Sequence, residues 1–133
     1  MPFSFAPVMP DMDQFLPSTI RPWVEQEFCI EGVLAAGGGN LVGTVFPALA
    51  HADYNSAQGE EVWHCIAQTL GSLSNHGTAT RERLWGFDHG MLCTVRREDG
   101  LWIGVFTSMQ IADEAALTLR AKLDAFKVQD FRE

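Results

Sequence analysis

Hydrophobic positions along this chain change period several times, and each change marks an element. Over 20–28, Ile20, Trp23, Val24 and Phe28 recur at helical spacing, which predicts a short amphipathic helix with one apolar face. Ser18-Thr19 offers its N-cap, and Pro22 is tolerable because it falls in the first turn. Upstream, Pro2, Pro7, Pro10 and Pro17 are interleaved with Phe3, Phe5, Val8 and Phe15. Prolines at that density resist regular structure, so 1–17 reads as an extended Pro-rich arm whose aromatics pack on a domain or a neighbouring subunit.

Two apolar runs, 33–36 and 41–46, then flank Gly37-Gly38-Gly39-Asn40. Glycine permits positive φ and Asn tolerates it, so the pattern predicts a β-hairpin turning on the glycines. Pro47 is expected to stop the second strand, with 48–56 a loop whose Asn55 or Ser56 caps the next helix. On that helix Val62, Trp63, Ile66, Leu70 and Leu73 make one apolar face, beside a row of small residues, Ala67, Gly71 and Ser74. Such a row lets another backbone come close, and Gly71 costs roughly 1 kcal/mol of helix propensity that a contact should offset. The helix is therefore expected to face both its own sheet and a second helix, ending at Asn75-His76-Gly77.

Residues 83–107 supply a three-stranded meander, with Asp88-His89-Gly90 as one turn and Asp99-Gly100 as a two-residue type I′ turn. That shorter loop would pair Arg97 with Trp102, Val95 with Gly104 and Cys93 with Phe106. Apolar groups then fall on both faces of the sheet, and helices are expected to cover both. The first meander strand opens with Arg81-Glu82-Arg83, charges of the kind that protect an unpaired edge, so 81–87 is the expected sheet edge. Arg81, Arg83, Trp85 and Phe87 on that strand join Ala67, Gly71 and Ser74 as candidate dimer-interface residues. A last helix over 112–128 carries the stripe Ala112, Ala116, Leu119, Leu123 and Phe126, with Arg120, Lys122 and Lys127 in its later half, where the helix dipole favours cations. Residues 129–133 are expected to fray, leaving one domain over 18–128.

The whole chain is 133 residues, enough for a single core, with 47% hydrophobic residues and a net charge of −8. An acidic balance argues against nucleic acid, whose phosphates select basic patches, and against an anionic membrane surface. The first residues lack the basic flank and apolar run of a signal peptide, and no apolar stretch approaches the ~20 residues that span a bilayer. Three cysteines, Cys29, Cys65 and Cys93, sit among apolar neighbours. The expectation is buried free thiols in a cytoplasmic protein.

Candidate chemistry is sparse. Gly38-x-x-x-x-Gly43-Thr44 has the outline of a phosphate-binding loop but lacks the Lys that reaches the phosphates. His51, His64, His76 and His89 show no metal-ligand spacing among themselves or with the cysteines. Asp88-His89 with Ser72, Ser74 or Ser108 could be read as a catalytic set, yet a D-H-G turn needs no such explanation and no serine stands in a nucleophile elbow. Tyr54, Trp63, Trp85 and Trp102 are core aromatics more readily than ligand platforms. The expectation is no catalytic residue, no metal and no cofactor.

The order of elements resembles the roadblock/dynein-light-chain family. The segments that carry the resemblance are IEGVLAAGGGNLVGTVF for the first hairpin and SAQGEEVWHCIAQTLGSL for the central helix. They are followed by RLWGFDHGMLCTVRREDGLWIGVFTS for the meander and DEAALTLRAKLDAF for the closing helix. This resemblance covers roughly 16–128 and implies an α+β sandwich, a five-stranded antiparallel sheet with one helix on one face and two on the other. It also implies a homodimer, with central helices packed together and the following strands paired edge to edge. Family members are usually non-enzymatic, and many bacterial ones resemble regulators of small Ras-like GTPases. The expected function is thus a dimeric scaffold or GTPase regulator acting by protein binding. A secretion-chaperone-like dimer that binds an extended effector segment, and a small-ligand sensor, are the alternatives.

Overall fold

A computed structural model describes residues 16–40, 43–50, 56–74, 81–87 and 90–131, with backbone alone at 50, 56–60, 71–74 and 81. The elements are α1 (Ile20–Glu27), β1 (Val33–Gly39), β2 (Val45–Ala50), α2 (Ser56–Ser74), β3 (Arg81–Phe87), β4 (Gly90–Arg96), β5 (Trp102–Ser108) and α3 (Asp113–Val128). All five strands pair antiparallel in the order β2-β1-β5-β4-β3. Strand β3 ends the sheet, where its charged start predicts an edge. The arm over 1–15, the Asn55 cap, the Asn75-His76-Gly77 stop and the Asp88-His89 turn lie outside the described residues.

Consecutive strand residues feed two separate cores, so the sheet is apolar on both sides. Ala36, Phe46, Cys93, Val95, Leu101, Ile103 and Val105 pack with Ile20, Val24 and Phe28 of α1 and Leu123 and Phe126 of α3. Ala35 and Trp102 pack with Trp63, Ala67 and Leu70 of α2, with Val45 and Phe106 half-buried against them. Helices α1 and α3 thus share one face and α2 takes the other. This is the α+β layout expected from the sequence.

The glycine run departs from expectation. Gly37, Gly38 and Gly39 belong to β1 and pair with both neighbours, while the reversal falls between Asn40 and Thr44. There Asn40 N–H donates to the Thr44 carbonyl at 3.0 Å, and Thr44 N–H to Asn40 Oδ1 at 3.1 Å. The reason lies across the sheet. Gly37 and Gly104 are register partners, and a Cβ on either would stand 2.8 Å from the indole of Trp63. Two adjacent strands give up side chains so that one large ring can lie on the backbone. Trp63 also contacts Trp102 at 6.2 Å and Phe106 at 5.7 Å between ring centroids.

Pro47 does not stop β2, which runs on to Ala50. An edge strand tolerates a missing N–H, and the ladder bulges here. Gly37 faces Pro47 while Ala36 faces Leu49, leaving Ala48 as the extra residue. The β4–β5 loop is also longer than a type I′ turn. Arg97 N–H donates to the Leu101 carbonyl at 2.8 Å, so 98–100 form a three-residue loop with Gly100 at φ 89. Trp102 therefore pairs with Arg96 rather than Arg97, Val95 with Ile103 and Cys93 with Val105. One residue of slip sends Arg97 and Trp102 to opposite faces, so the expected pairing between them does not form.

Arg97 instead joins three elements. Its guanidinium lies 5.2 Å from the Phe126 ring centroid and 5.4 Å from that of Phe131. It donates to the carbonyls of Phe126 at 2.9 Å and Gln129 at 2.6 Å, and pairs with Asp99 at 2.6 Å. These contacts satisfy carbonyls at the end of α3 that have no partner within the helix. Phe131 is buried, against the expectation that 129–133 fray. The Thr19 hydroxyl, expected as a helix cap, donates to the Phe131 carbonyl at 3.1 Å and makes no capping bond. Cys93 is buried as expected, whereas Cys29 and Cys65 are exposed; apolar neighbours in sequence do not fix the face a residue occupies.

The Trp63 seat yields a stability test. Gly104→Ala should cost about 1–3 kcal/mol through overpacking against the indole. Urea unfolding followed by circular dichroism should give a lower midpoint with an unchanged slope.

Candidate interaction surface at the β3 edge

Strand β3 pairs with β4 along its whole length, from Arg81 opposite Arg96 to Phe87 opposite Gly90. Its other side is the sheet boundary. Side chains alternate between faces. Glu82 and Leu84 point toward α3, and Arg83, Trp85 and Phe87 toward the face that carries α2. Leu84 is 64% exposed and Phe87 53%, unusual for large apolar residues in a strand next to two cores. Phe87 also touches Phe106 at 6.1 Å, so a row of rings runs from Trp102 through Trp63 and Phe106 to the edge.

The α3 side of the edge is held by charge. Glu82 accepts hydrogen bonds from Arg120 and pairs with Lys127 at 3.0 Å. Asp124 bridges the same two cations, at 2.9 Å from Arg120 and 3.1 Å from Lys127. The Arg120 hydrogen bond, with help from Lys127 and against the desolvation of partial burial, pulls the Glu82 carboxyl down to about 2. Lys127 and Arg120 likewise hold Asp124 below its ordinary value. Arg120 and Lys127 are both pushed up, chiefly by their bonds to Glu82. Apart from the β4 ladder, this cluster is the described tie between the edge strand and a helix.

The candidate interface residues do not form one patch in the described chain. Ala67 is buried against its own sheet with Trp63 and Leu70. Gly71 and Ser74 lie in the last turns of α2. Helix α2 packs over β2 and β1, toward the opposite end of the sheet from β3. Arg81 begins β3, Arg83 and Trp85 are half-buried, and Phe87 is exposed. Sequence reasoning missed Leu84, whose exposure follows from the gap under α3 rather than from periodicity. Val62, expected on the apolar face of α2 with Trp63 and Leu70, is instead 41% exposed.

Other candidate chemistry finds little support in the geometry. Among the described residues no three His, Cys, Asp or Glu side chains stand together as metal ligands. His64 is exposed; His51, His76, His89 and Tyr54 lie outside the described residues. The Ser108 hydroxyl accepts from Gln110 N–H at 3.2 Å, a turn contact. Trp63 and Trp102 are core rings, and Trp102 Nε1 donates to the Asn40 carbonyl at 3.3 Å. No helix among the described residues is long and apolar enough to cross a membrane.

The Glu82 cluster predicts an acid limb. A carboxylate whose folded pKa is depressed stabilises the fold above its unfolded value, and that contribution is lost as pH falls toward the folded one. Stability should therefore drop between the ordinary value of 4.5 and about 2. Glu82→Gln should flatten that part of the profile and cost about 1 kcal/mol at neutral pH, less in high salt. Thermal melts across this range would measure it; an acid limb of unchanged size in the variant would remove Glu82 as its source.

Comparison of the chain with models of known protein families and with curated protein sequences finds no match.

Proposed function

We infer that this protein acts by binding other proteins, as a homodimeric scaffold or regulator of a small Ras-like GTPase, and that it catalyses no reaction. The observation that carries the reading is the β3 edge. The strand that ends the sheet among the described residues also exposes Leu84 and Phe87. Edge strands of this kind add a strand from another chain. A second copy of β3 would pair antiparallel about a two-fold axis, extending the sheet across both subunits. The exposed ring of Phe87 and the half-buried Trp85 would then lie beside the partner's β3 on the same face of the joined sheet, where aromatic anchors contribute most.

Two further features support the reading. The sheet of five antiparallel strands with one helix opposite two has the layout implied by the roadblock resemblance. A GTPase partner would be recognised by a broad surface that biases its conformation, and a net charge of −8 suits a basic patch on it. In this reading the protein works in the cytoplasm.

Two measurements test it. Sedimentation of the wild-type chain should show a dimer, and Phe87→Lys should weaken association roughly tenfold or more, a loss of about 1.4 kcal/mol. A folded wild-type monomer at high concentration would overturn the edge pairing. Affinity capture from a lysate of the source organism, with GDP or a non-hydrolysable GTP analogue, should recover a small GTPase preferentially in one nucleotide state. Capture of a dedicated secreted effector instead would replace the regulator reading with a chaperone.

A further inference from the structure

Helix α3 meets the sheet closely only toward its C-terminal end, where Leu123 and Phe126 are buried and Arg97 grips the last carbonyls. Its earlier turns pass over β3 and β4 with Ala116 and Leu119 only half-buried. Beneath them is an open cavity of about 330 Å³. The walls are Leu84, Met91 and Cys93 from the sheet and Ala116, Leu119 and Leu123 from the helix. Leu84 and Cys93 are cross-strand partners, so both face the helix, and Cys93 forms part of the floor at 8% exposure. The recess is open to solvent, so its apolar walls stand against water unless something covers them.

We propose that this cavity is a binding site for a small, uncharged, largely apolar molecule, such as one fused aromatic ring system bearing at most a hydroxyl or amine. Size and charge both point to that class. About 330 Å³ lies at the lower end of the range of small-molecule sites. Of the charged residues lining the cavity, Glu82 and Arg120 are paired with each other and tied further to Lys127 and Asp124, while Arg83 stands on β3 at a position that alternates toward the other face. A charged ligand would have to break one of those pairs, whereas a neutral one leaves them intact and loses apolar surface to the walls. The Thr107 hydroxyl also borders the cavity and is the polar group that would orient a ligand hydroxyl. The site uses the side chains under α3, and the edge pairing proposed above uses the backbone of β3, so either can fail alone.

Cys93 reports occupancy. Burial, with the nearby Glu82 charge, pushes its thiol up to about 11, so alkylation should be slow, while exposed Cys29 and Cys65 serve as internal controls. The wild-type protein is titrated with the neutral dye N-phenyl-1-naphthylamine and followed by fluorescence. Iodoacetamide labelling of each cysteine is read in parallel by peptide mass spectrometry. The expected result is a saturable fluorescence rise. With the dye at about ten times its dissociation constant, Cys93 should label roughly tenfold more slowly and Cys29 and Cys65 at unchanged rates. Ala116→Phe fills the cavity and should weaken dye binding roughly tenfold or more. No saturable binding, binding that leaves Cys93 unprotected, or equal affinity in a folded Ala116→Phe variant would overturn the proposal. So would Cys93 protection that rises with protein concentration alone, which would show a second copy filling the space. If Ala116→Phe does not fold, the wild-type Cys93 rates decide.

Discussion

The close approach of Trp63 to the backbone of β1 and β5 is the constraint on which most of the fold turns. An indole can lie that near a sheet only where the strands beneath it carry no side chains, and Gly37 and Gly104 meet that condition as neighbours in register. The contact brings α2 down onto its end of the sheet and seats Trp102 and Phe106 around one ring. Glycine weakens a strand by itself. Here the loss is offset by burying a large aromatic surface on a floor that fits it.

The opposite face is organised by a cation. Arg97 projects from the end of the β4–β5 hairpin beneath two phenyl rings and donates to the carbonyls of Phe126 and Gln129 at the close of α3. Around it, Trp23 meets Phe28, Phe126 and Phe131, which joins α1, α3 and the segment after α3. The two faces thus differ in kind, one closed by a ring resting on bare backbone and the other by a guanidinium among rings. Between α3 and the β3 edge neither device reaches. That is where the cavity and the exposed Leu84 lie.

Much of the fold was legible because it follows from side-chain period. The three helices, their order among the strands and the charged edge at Arg81–Phe87 all appear in the structure. What period could not show were features set by contacts distant in sequence. Gly37-Gly38-Gly39 has the composition of a turn, and its place in a strand goes with contacts from other elements, Trp63 over Gly37, Phe46 over Gly38 and Trp102 beside Gly39. Pro47 has the composition of a stop, and only an edge position with a bulge lets β2 continue. The C-terminal residues look like a fraying end until Arg97 and Thr19 are seen to hold them. Of the candidate surface, the strand was readable and its exposure was not, since exposure depends on how far α3 stands from Leu84.

The three-residue loop over 98–100 has a consequence for how this chain could vary. Leu101 and then strand β5 follow it, with Trp102 in one core and Leu101, Ile103 and Val105 in the other. Inserting or deleting one residue in the loop would invert that parity, turning the indole toward the Arg97 face and three aliphatic residues toward α2. Changes of two would keep it. The loop therefore acts as a reading frame for the central strand, open to substitution at Glu98 and closed to single-residue changes in length.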